Sequence, residues 1–295
     1  MQTDEIKITT GMNEHQTAEF EINDKTIDYE TSKNLSFGDI VSILKGLNII
    51  SEFYDVAAAA TTIPTGVCAV SLGKDLPEAL TNVIDSNPID FMSSAVTFSK
   101  EVDSDLAKML KDTHIVIAPS FTKNAAEYLD THEVCRVTIK TPLKDYKKYL
   151  SNNTKITPLG TLTQTPNLSE LDKDSFKVVT KTKPTVEQIE DAVFAWKIAK
   201  HVHSQATVIA KDLKTTAIEQ ALQSASIERA LDYSCDRSKD AILASDMPVS
   251  IHDLNAAAQG RIALIIVPAA SGEIITAADK YNLAIITTGF TNILY

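Results

Sequence analysis

The sequence predicts an α/β fold in which two similar units follow one another along the chain. Residues 114–139 place Pro119 after a buried strand, and a helix and a second strand follow. Residues 261–288 repeat this order with Pro268 after the first strand. The second strand begins the same number of residues after each proline, which is typical of an internal strand–helix–strand repeat. Continuous apolar strands that alternate with helices indicate a sheet covered by helices on both faces.

The first unit is predicted to begin with a helix over residues 36–53, for which Ser36 is a suitable N-cap. Its apolar residues recur at helical spacing and are Ile40, Ile43, Leu44, Leu47 and Ile50. A strand is expected over residues 56–62, and residues 67–70 form either a further strand or the start of a loop. The remaining predicted elements are helices over 76–84 and 105–110 and a strand over 95–98.

The second unit is predicted to open with a helix that begins at Thr185. Thr185 and Gln188 show the capping-box pattern, in which each side chain satisfies an otherwise unpaired backbone amide. The residues expected on its buried apolar face are Val186, Ile189, Val193, Trp196 and Ala199. The run ATVIA at residues 206–210 follows as a short buried strand.

These patterns divide the chain into three parts. The first unit is predicted over residues 1–140 and the second over residues 184–295. Residues 141–183 are rich in Lys, Thr, Asn and Pro, so they are expected to form an extended connector.

The composition excludes some function classes. The chain has 295 residues and a formal net charge of −11, which argues against a nucleic-acid partner because phosphate backbones require a basic protein face. No apolar stretch approaches the roughly 20 residues that a membrane-spanning helix needs, and the N-terminus lacks the pattern of a secretory signal. The cysteines are odd in number and far apart, so a reducing, cytoplasmic location is expected.

Four stretches of the chain resemble one family of purine-biosynthesis enzymes. They are FAWKIAKHVHSQATVIAKD at residues 194–212, GMNEHQ at 11–16, ASDMPVSIHD at 244–253 and ADKYNLAIITTG at 278–289. The chain is similar over nearly its whole length to the AICAR formyltransferase (transformylase) domain of the bifunctional purine enzyme. No counterpart of that enzyme's IMP cyclohydrolase domain is expected within it.

The resemblance implies a fold, an assembly and an activity. The fold is two cytidine-deaminase-like three-layer α/β units in tandem, and the assembly is a homodimer with active sites at its interface. The activity is transfer of a formyl group from 10-formyltetrahydrofolate to the amine of a carboxamide ribonucleotide. A small-molecule substrate is therefore expected.

The chain departs from the family's motifs at the positions that carry this chemistry. The family's Lys-His proton-transfer pair aligns with Ala60 and Thr61, neither of which titrates near neutral pH. A glycine-rich segment that ends in arginine aligns with residues 217–225, where the features that let a backbone approach and clamp an anion are absent. The other replaced positions are Thr9 and Thr10, Gln205, residues 247–252, residues 268–271, Thr291 and Tyr295.

Several residues at the family's motif positions remain candidates for chemistry. By resemblance they are His15 and Lys197 as catalytic groups and, for substrate binding, Asn13, Lys200, Gln205, Asp246 and Asp253. Each type also has a structural explanation: a histidine can bond a turn backbone, lysines can line a solvated helix edge, and aspartates can cap helices. No metal site is expected, because His201 and His203 are two residues apart on a helix and no Cys-x-x-Cys accompanies them.

Because the losses concentrate on the contacts of one ligand, we infer that the carboxamide ribonucleotide is not the substrate. The leading hypothesis is a diverged enzyme that acts on another small amine- or amide-bearing molecule in a specialised biosynthetic pathway. Its reaction is ring-closing dehydration or acyl (formyl) transfer. The alternatives are a non-catalytic binding or regulatory subunit and a conventional folate-dependent formyltransferase. No cofactor is expected unless the ancestral activity is retained, in which case 10-formyltetrahydrofolate binds.

Overall fold

A single mixed sheet forms the centre of the molecule. The computed structural model describes residues 8, 10–13, 15–171, 176–220 and 223–294. The strands of the first half are β1 Tyr29–Thr31, β2 Ala57–Ile63, β3 Gly66–Gly73, β4 Ala95–Phe98, β5 Ile115–Ala118 and β6 Cys135–Ile139. Those that follow are β7 Asn153–Thr157, β8 Gly160–Gln164, β9 Lys177–Val178, β10 Ala206–Lys211, β11 Lys214–Gln220, β12 Ile242–Ser245, β13 Leu264–Val267 and β14 Ala284–Thr287.

Helices alternate with these strands. They are α1 Phe37–Ile50, α2 Leu76–Ser86, α3 Pro88–Phe91, α4 Ser104–Met109, α5 Lys123–Thr131, α6 Val186–Ala199, α7 Gln223–Ser234, α8 Ile251–Gln259 and α9 Gly272–Tyr281. Short 3-10 helices cover Ser51–Phe53, Leu143–Tyr149 and Cys235–Ser238. In the part of the chain that the structure describes, no helix has the length and apolarity needed to cross a membrane.

The strand order of the sheet is the same in both halves when it is read from each outer edge to the middle. One half runs β1-β6-β5-β4-β2-β3 and the other runs β9-β14-β13-β12-β10-β11. The two hairpins meet in the middle, where β3 and β11 pair with Ser71 opposite Lys214. The strand–helix–strand repeat predicted from the sequence is therefore present. The cytidine-deaminase likeness and the domain boundaries stay predictions.

Two layers of helices cover the sheet. On one face, α1 and α6 share one hydrophobic core with strands of both halves. On the other face, α2, α4 and α5 cover the first half, while α7, α8 and α9 cover the second. Alternate residues of one strand point to opposite faces, so Ala58 and Ala60 belong to the shared core and Ala59 to the other. The predicted covering on both faces is confirmed.

Most predicted elements are confirmed with small shifts at their ends. Ser36 caps α1 and accepts a hydrogen bond from Asp39 N, and the open alternative at residues 67–70 is settled as part of β3. The Thr185–Gln188 capping box is present. The predicted buried face of α6 is wrong at Val186, which is 68% exposed. The apolar residues that α6 buries are Ala192, Phe194, Ala195, Trp196, Ile198 and Ala199.

The predicted connector contains more structure than an extended linker. Its first part forms the 3-10 helix Leu143–Tyr149, and β7 and β8 then form a hairpin with no other strand attached. Three large apolar side chains of this hairpin are exposed, namely Ile156, Leu159 and Leu162. The interpretation as a purely extended connector is wrong for residues 143–164, where a 3-10 helix precedes the hairpin. In β7 and β8, Thr and apolar residues favour strand pairing.

In each half, a backbone amide at an equivalent position donates a hydrogen bond to a side chain, and this side chain differs between the halves. Ala58 N donates to Ser99 Oγ at 2.9 Å, one residue after β4. Ala206 N donates to Asp246 Oδ1 at 2.9 Å, one residue after β12. Both amides open the inner hairpin of their half. The repeat therefore preserves this contact while the side chains differ.

Candidate functional site

A small pocket opens at the end of the sheet where the two hairpins meet. The β2–β3 turn and the end of β11 are joined there by a hydrogen bond in which Gln220 Nε2 donates to Thr65 O at 3.2 Å. The pocket has a volume of about 220 Å³. We call it the seam pocket, and its lining residues are Ile63, Thr65, Gly66, Val67, Cys68, Asn87, Asp90, Val202, Ile218, Glu219, Gln220 and Tyr233.

The seam pocket is polar and acidic. Its lining includes the carboxylates of Asp90 and Glu219 and no lysine, arginine or histidine among the residues described by the structure. Asp90 is oriented by Asn87, whose Nδ2 donates to Asp90 Oδ2 at 2.8 Å. Glu219 is half-buried and has no ion pair with any described residue. Such a lining favours a cationic or hydrogen-bond-donating ligand.

Burial shifts the proton equilibria of three groups in the seam pocket. Desolvation raises the pKa of Glu219, so this carboxyl holds a proton to higher pH than an exposed glutamate. Burial, with a smaller contribution from Asp90, raises the pKa of Cys68 to about 12, so its thiol is protonated at neutral pH. Burial also raises the pKa of Tyr233. Shifted groups that converge on one cavity are typical of a functional site.

A second pair of titratable groups is formed by Lys45 and His203. Lys45 Nζ lies 3.3 Å from His203 Nε2, and burial lowers the pKa of both groups. His203 directly follows Val202, which lines the seam pocket. Since α1 supplies Lys45 and the segment after α6 supplies His203, each half of the chain contributes one member.

A buried ionic cluster is centred on Glu52, where α1 and α6 end. Glu52 accepts from Lys200 Nζ at 3.1 Å and His201 Nε2 at 3.2 Å through Oε1, and from Lys147 Nζ at 3.0 Å through Oε2. The side chains of Glu52 and Lys200 are 6% and 5% exposed. Burial raises the pKa of Glu52, but the hydrogen bond and charge of His201 and the charge of Lys200 outweigh it and hold that pKa well below its ordinary value. Burial lowers the pKa of His201, and the hydrogen bond and charge of Glu52 oppose this effect.

The chain can now be compared with known proteins. A sequence model of the family described as AICARFT/IMPCHase bienzyme matches residues 2–226. The chain belongs to this family.

Curated relatives agree with the family match. The bifunctional purine biosynthesis protein PurH of Caldicellulosiruptor saccharolyticus is 33% identical over 96% of this chain and 58% of the relative. The proteins of the same name from Anoxybacillus flavithermus and Bacillus cereus are 32% and 30% identical over 95% of this chain and 57% of each relative. The chain spans less than two thirds of these relatives.

One solved structure shows a weak likeness to the chain. Protein ybgI, whose title gives its function as unknown, is 11% identical with a TM-score of 0.16. The match covers 65% of this chain and 72% of that protein. A likeness at this level carries no argument.

The structure places Ala60 and Thr61, which by resemblance align with the family's proton-transfer pair, inside the sheet. Ala60 and Thr61 lie in β2 and are buried. Thr61 Oγ1 donates to Ala69 O at 3.4 Å, which is a weak structural contact. Both side chains therefore lie in the packed hairpin of this AICARFT/IMPCHase member, and neither titrates.

Asn13 and His15 lie in an exposed turn. Asn13 Nδ2 donates to Gln16 Oε1 at 2.8 Å, which orders the turn. Gly38 lies between this turn and the β2–β3 turn, since a methyl group at its Cα would be 3.7 Å from Met12 Sδ and 3.3 Å from Pro64 Cγ. Met12, next to Asn13, and Pro64 of the β2–β3 turn thus both lie close to Gly38. Of the residues named from the motifs, Thr9, Glu14, residues 221–222 and Tyr295 lie outside the described ranges.

Lys197 and Lys200 lie in the Glu52 cluster instead. Lys197 Nζ donates to Glu52 O at 3.2 Å and lies 5.3 Å from the centre of the Phe53 ring. The explanation of these lysines as a solvated helix edge is wrong for Lys200, because α6 ends against the buried carboxylate of Glu52. The structure therefore separates the two predicted catalytic residues, His15 and Lys197.

The remaining candidates have structural contacts. Asp246 is fully buried, accepts from Ala206 N and Ser204 Oγ, and caps no helix, so its interpretation as an N-cap is wrong. Burial raises its pKa. Asp253 is confirmed as a capping residue, since it and Ser250 form the capping box of α8. Gln205 is half-buried beside Ser204.

Sequence reasoning missed the residues that build the seam pocket. Asp90 and Tyr233 lie in different halves, and no local pattern indicates that α3 and α7 approach the same end of the sheet. Glu219 lies within residues 217–225, which align with the family's glycine-rich anion segment. The presence of the Glu219 carboxylate within a segment that aligns with an anion site was the one signal in the sequence that pointed to the seam pocket.

Proposed function

We propose that the chain is an enzyme of the AICARFT/IMPCHase family that acts on a small amine- or amide-bearing molecule other than the carboxamide ribonucleotide. The observation that carries this proposal is the acidic lining of the seam pocket. Cationic side chains are the donors best suited to a ribonucleotide phosphate, and the described lining offers carboxylates and no lysine, arginine or histidine. An amine or amide can donate hydrogen bonds to those carboxylates.

Glu219 is the group best suited to proton transfer in this pocket. Burial raises the pKa of this half-buried carboxyl, so it holds a proton to higher pH than an exposed glutamate, and a carboxyl of this kind can act as a general acid or base. Asp90, which Asn87 orients, is suited to hold the amine. The Cys68 thiol serves as a packing or hydrogen-bonding group, because a nucleophile would have to be a thiolate.

Ring-closing dehydration is the first of the two reaction types, and acyl (formyl) transfer is the second. In ring closure an amine nitrogen attacks a carbonyl carbon of the same molecule, and the carbonyl oxygen leaves as water after receiving protons. This reaction needs positioning and a proton relay but no separate donor. Acyl transfer in this family would need 10-formyltetrahydrofolate, and residues 247–252 lack the family's aromatic folate contacts. We therefore propose that no folate is required.

An assay with purified protein tests this proposal. We expect no formylation of the carboxamide ribonucleotide with 10-formyltetrahydrofolate, and loss of one water from amine-bearing carbonyl compounds, followed by mass spectrometry. Glu219→Gln should abolish turnover while Glu127→Gln, at an exposed position on α5, should not. Turnover of the ribonucleotide would contradict the proposal.

A non-catalytic binding subunit is the second candidate. The observation that favours it is the loss of titratable side chains at Ala60 and Thr61. In that case calorimetry would detect amine binding at the seam pocket, Asp90→Asn would weaken it, and no compound that binds would be converted.

The assembly and location are proposed on separate grounds. A homodimer is supported by the family and by the exposed apolar hairpin of β7 and β8. Two cytidine-deaminase-like units are supported by the repeated strand order. A cytoplasmic location is supported by the free thiols of Cys68, Cys135 and Cys235.

A further inference from the structure

The contact between Lys45 and His203 joins the two halves of the chain and differs from the other lysine contacts. Lys45 Nζ lies 3.3 Å from His203 Nε2, close enough for a hydrogen bond between the two nitrogen atoms. In every other described hydrogen bond of a lysine side chain, the ammonium group donates to an oxygen. The partner described for Lys45 is instead a nitrogen base.

Both members of this pair are attached to backbone that is held in place. Lys45 directly precedes Gly46, which is buried where α1 approaches the sheet. His203 directly precedes Ser204, whose amide donates to Leu294 O at 2.8 Å and whose hydroxyl accepts from Leu294 N at 3.0 Å. Side chains that are carried by fixed backbone keep their mutual geometry, which is a requirement for a chemically active pair.

The surroundings of the pair disfavour its charged forms. Within the described part of the chain, Lys45 has no carboxylate partner. Burial lowers the pKa of Lys45, and burial together with the charge of Lys45 lowers the pKa of His203. An ammonium ion and an imidazolium ion would also repel each other across this contact. Both residues are only half-buried, so the pair remains partly accessible to solvent.

An amine with a base within hydrogen-bond reach has the arrangement of an activated nucleophile, and desolvation of the lysine favours its reactive neutral form. We propose that Lys45 is a nucleophilic amine, activated by His203, that forms an imine with small aldehydes. Neither residue lines the seam pocket, so this site stands apart from the proposed function. Because each half of the chain supplies one member, the site requires both halves.

The reaction needs no oxidant or reductant. Lys45 gives a proton from its ammonium group to His203 Nε2, and the amine nitrogen then forms a bond to the carbonyl carbon of the aldehyde. The electron pair of the C=O bond moves to the oxygen, which receives the proton from His203. The resulting hydroxyl group leaves as water after a second proton has passed from nitrogen to oxygen through His203. The products are one protonated imine and one water, and His203 is neutral again.

Reductive trapping in the native chain tests this proposal. The protein is incubated with acetaldehyde and cyanoborohydride, which reduces the imine to a stable secondary amine, and peptide mass spectrometry then gives the rate at each lysine. We expect Lys45 to be modified about tenfold or more faster at pH 7 than Lys111, an exposed lysine of the first half. Equal rates at Lys45 and Lys111 would overturn the proposal.

The pH dependence gives a second readout that needs no variant. A lowered pKa means that more of the Lys45 amine is already neutral at pH 7 than is the case for an ordinary lysine. The rate at Lys45 should therefore rise less between about pH 7 and about pH 9 than the rate at Lys111. An equal rise at both positions would contradict an activated amine.

Two variants assign the roles within the pair. His203→Gln keeps a hydrogen-bond acceptor but removes the base, so it should slow trapping at Lys45 several-fold and leave Lys111 unchanged. Lys45→Arg, which keeps a cation beside His203, should remove the fast-reacting group from the intact protein. Glu219→Gln should leave the rate at Lys45 unchanged.

Circular dichroism must show native structure in each variant, and the two measurements on the native chain decide the proposal if a variant unfolds. Trapping in a folded His203→Gln protein at the native rate would show that the imidazole only packs against Lys45, and it would overturn the assignment of His203 as the base.

Discussion

Glu52 compensates two buried or partly buried lysines from different parts of the chain, Lys200 and Lys147. Removal of its charge would leave Lys200 buried without a counter-ion. We expect Glu52→Gln to lower the free energy of unfolding by about 3–5 kcal/mol, as measured by urea denaturation. Glu170→Gln, at an exposed partner of the same Lys147, should change it by less than about 1 kcal/mol. Equal effects of the two variants would contradict the importance of burial here.

The Glu52 cluster also predicts how acid affects stability. The folded state holds the pKa of Glu52 below its ordinary value of 4.5, so the unfolded chain binds the proton first. The contribution of Glu52 is therefore fully present above about pH 4.5 and is lost as the pH falls towards the folded pKa. Denaturation at a series of pH values should show a shallower acid dependence for Glu52→Gln than for the native chain.

Glu219 should show the opposite behaviour. Its pKa is raised by burial, so ionisation disfavours the folded state as the pH rises through the folded pKa. We expect Glu219→Gln to have an unchanged or higher urea midpoint at pH 7, and this difference to disappear below the ordinary value of 4.5. A lower midpoint at pH 7 would show that the carboxylate stabilises the fold, which would argue against a strained functional group.

The partner of a buried side chain such as Lys200 could not be predicted from the sequence. Lys200 directly follows α6, and its side chain is buried against Glu52, 148 residues earlier in the chain. No local pattern indicates a partner at that distance. The same holds for Lys45 and His203, which are 158 residues apart.

At the level of elements, Gly46 of α1 marks a close approach of a helix to the sheet. A Cβ at Gly46 would lie 2.1 Å from Thr97 Oγ1 on β4. Alanine normally favours a helix by up to about 1 kcal/mol over glycine, but this overlap costs more. We expect Gly46→Ala to destabilise the protein by about 1–3 kcal/mol and Thr97→Ala to restore part of the loss in the double variant. Gly272→Ala, where a Cβ meets nothing within 4 Å, is the control and should be close to neutral.

Element prediction succeeded where the determining contacts are local. Ser36 and Thr185 start helices through bonds within three residues, so their capping patterns can be read directly from the sequence. The two proline-marked modules were also found, because each contains its own strands and helix. The pairing of β3 with β11 was not predicted, since it joins segments that are 143 residues apart at Ser71 and Lys214 (214 − 71).

For the whole molecule, the β7–β8 hairpin leaves apolar side chains with nothing packed on them. Ile156 is 85% exposed and Leu162 is 65% exposed. If the hairpin packs against a second copy, Ile156→Ser with Leu162→Ser should shift the protein from dimer to monomer in analytical ultracentrifugation. Ile89→Ser, at an exposed apolar residue of α3, is the matched control and should keep the native state. A native chain that is monomeric at high concentration would refute the homodimer.

Ser99 and Asp246 hold equivalent amides, yet the two side chains have different capacities. The hydroxyl of Ser99 accepts from Ala58 N and at the same time donates to Val56 O at 2.6 Å. A carboxylate can only accept, and at the corresponding position two residues before Ala206 the chain supplies the hydroxyl of Ser204 rather than a bare carbonyl. An aspartate at position 99 would place a carboxylate oxygen against the carbonyl oxygen of Val56, and these two acceptors would repel each other. The equivalent residues of the two halves can therefore not be exchanged one at a time. Aspartate is compatible with position 99 only if position 56 also supplies a hydroxyl, as Ser204 does for Asp246.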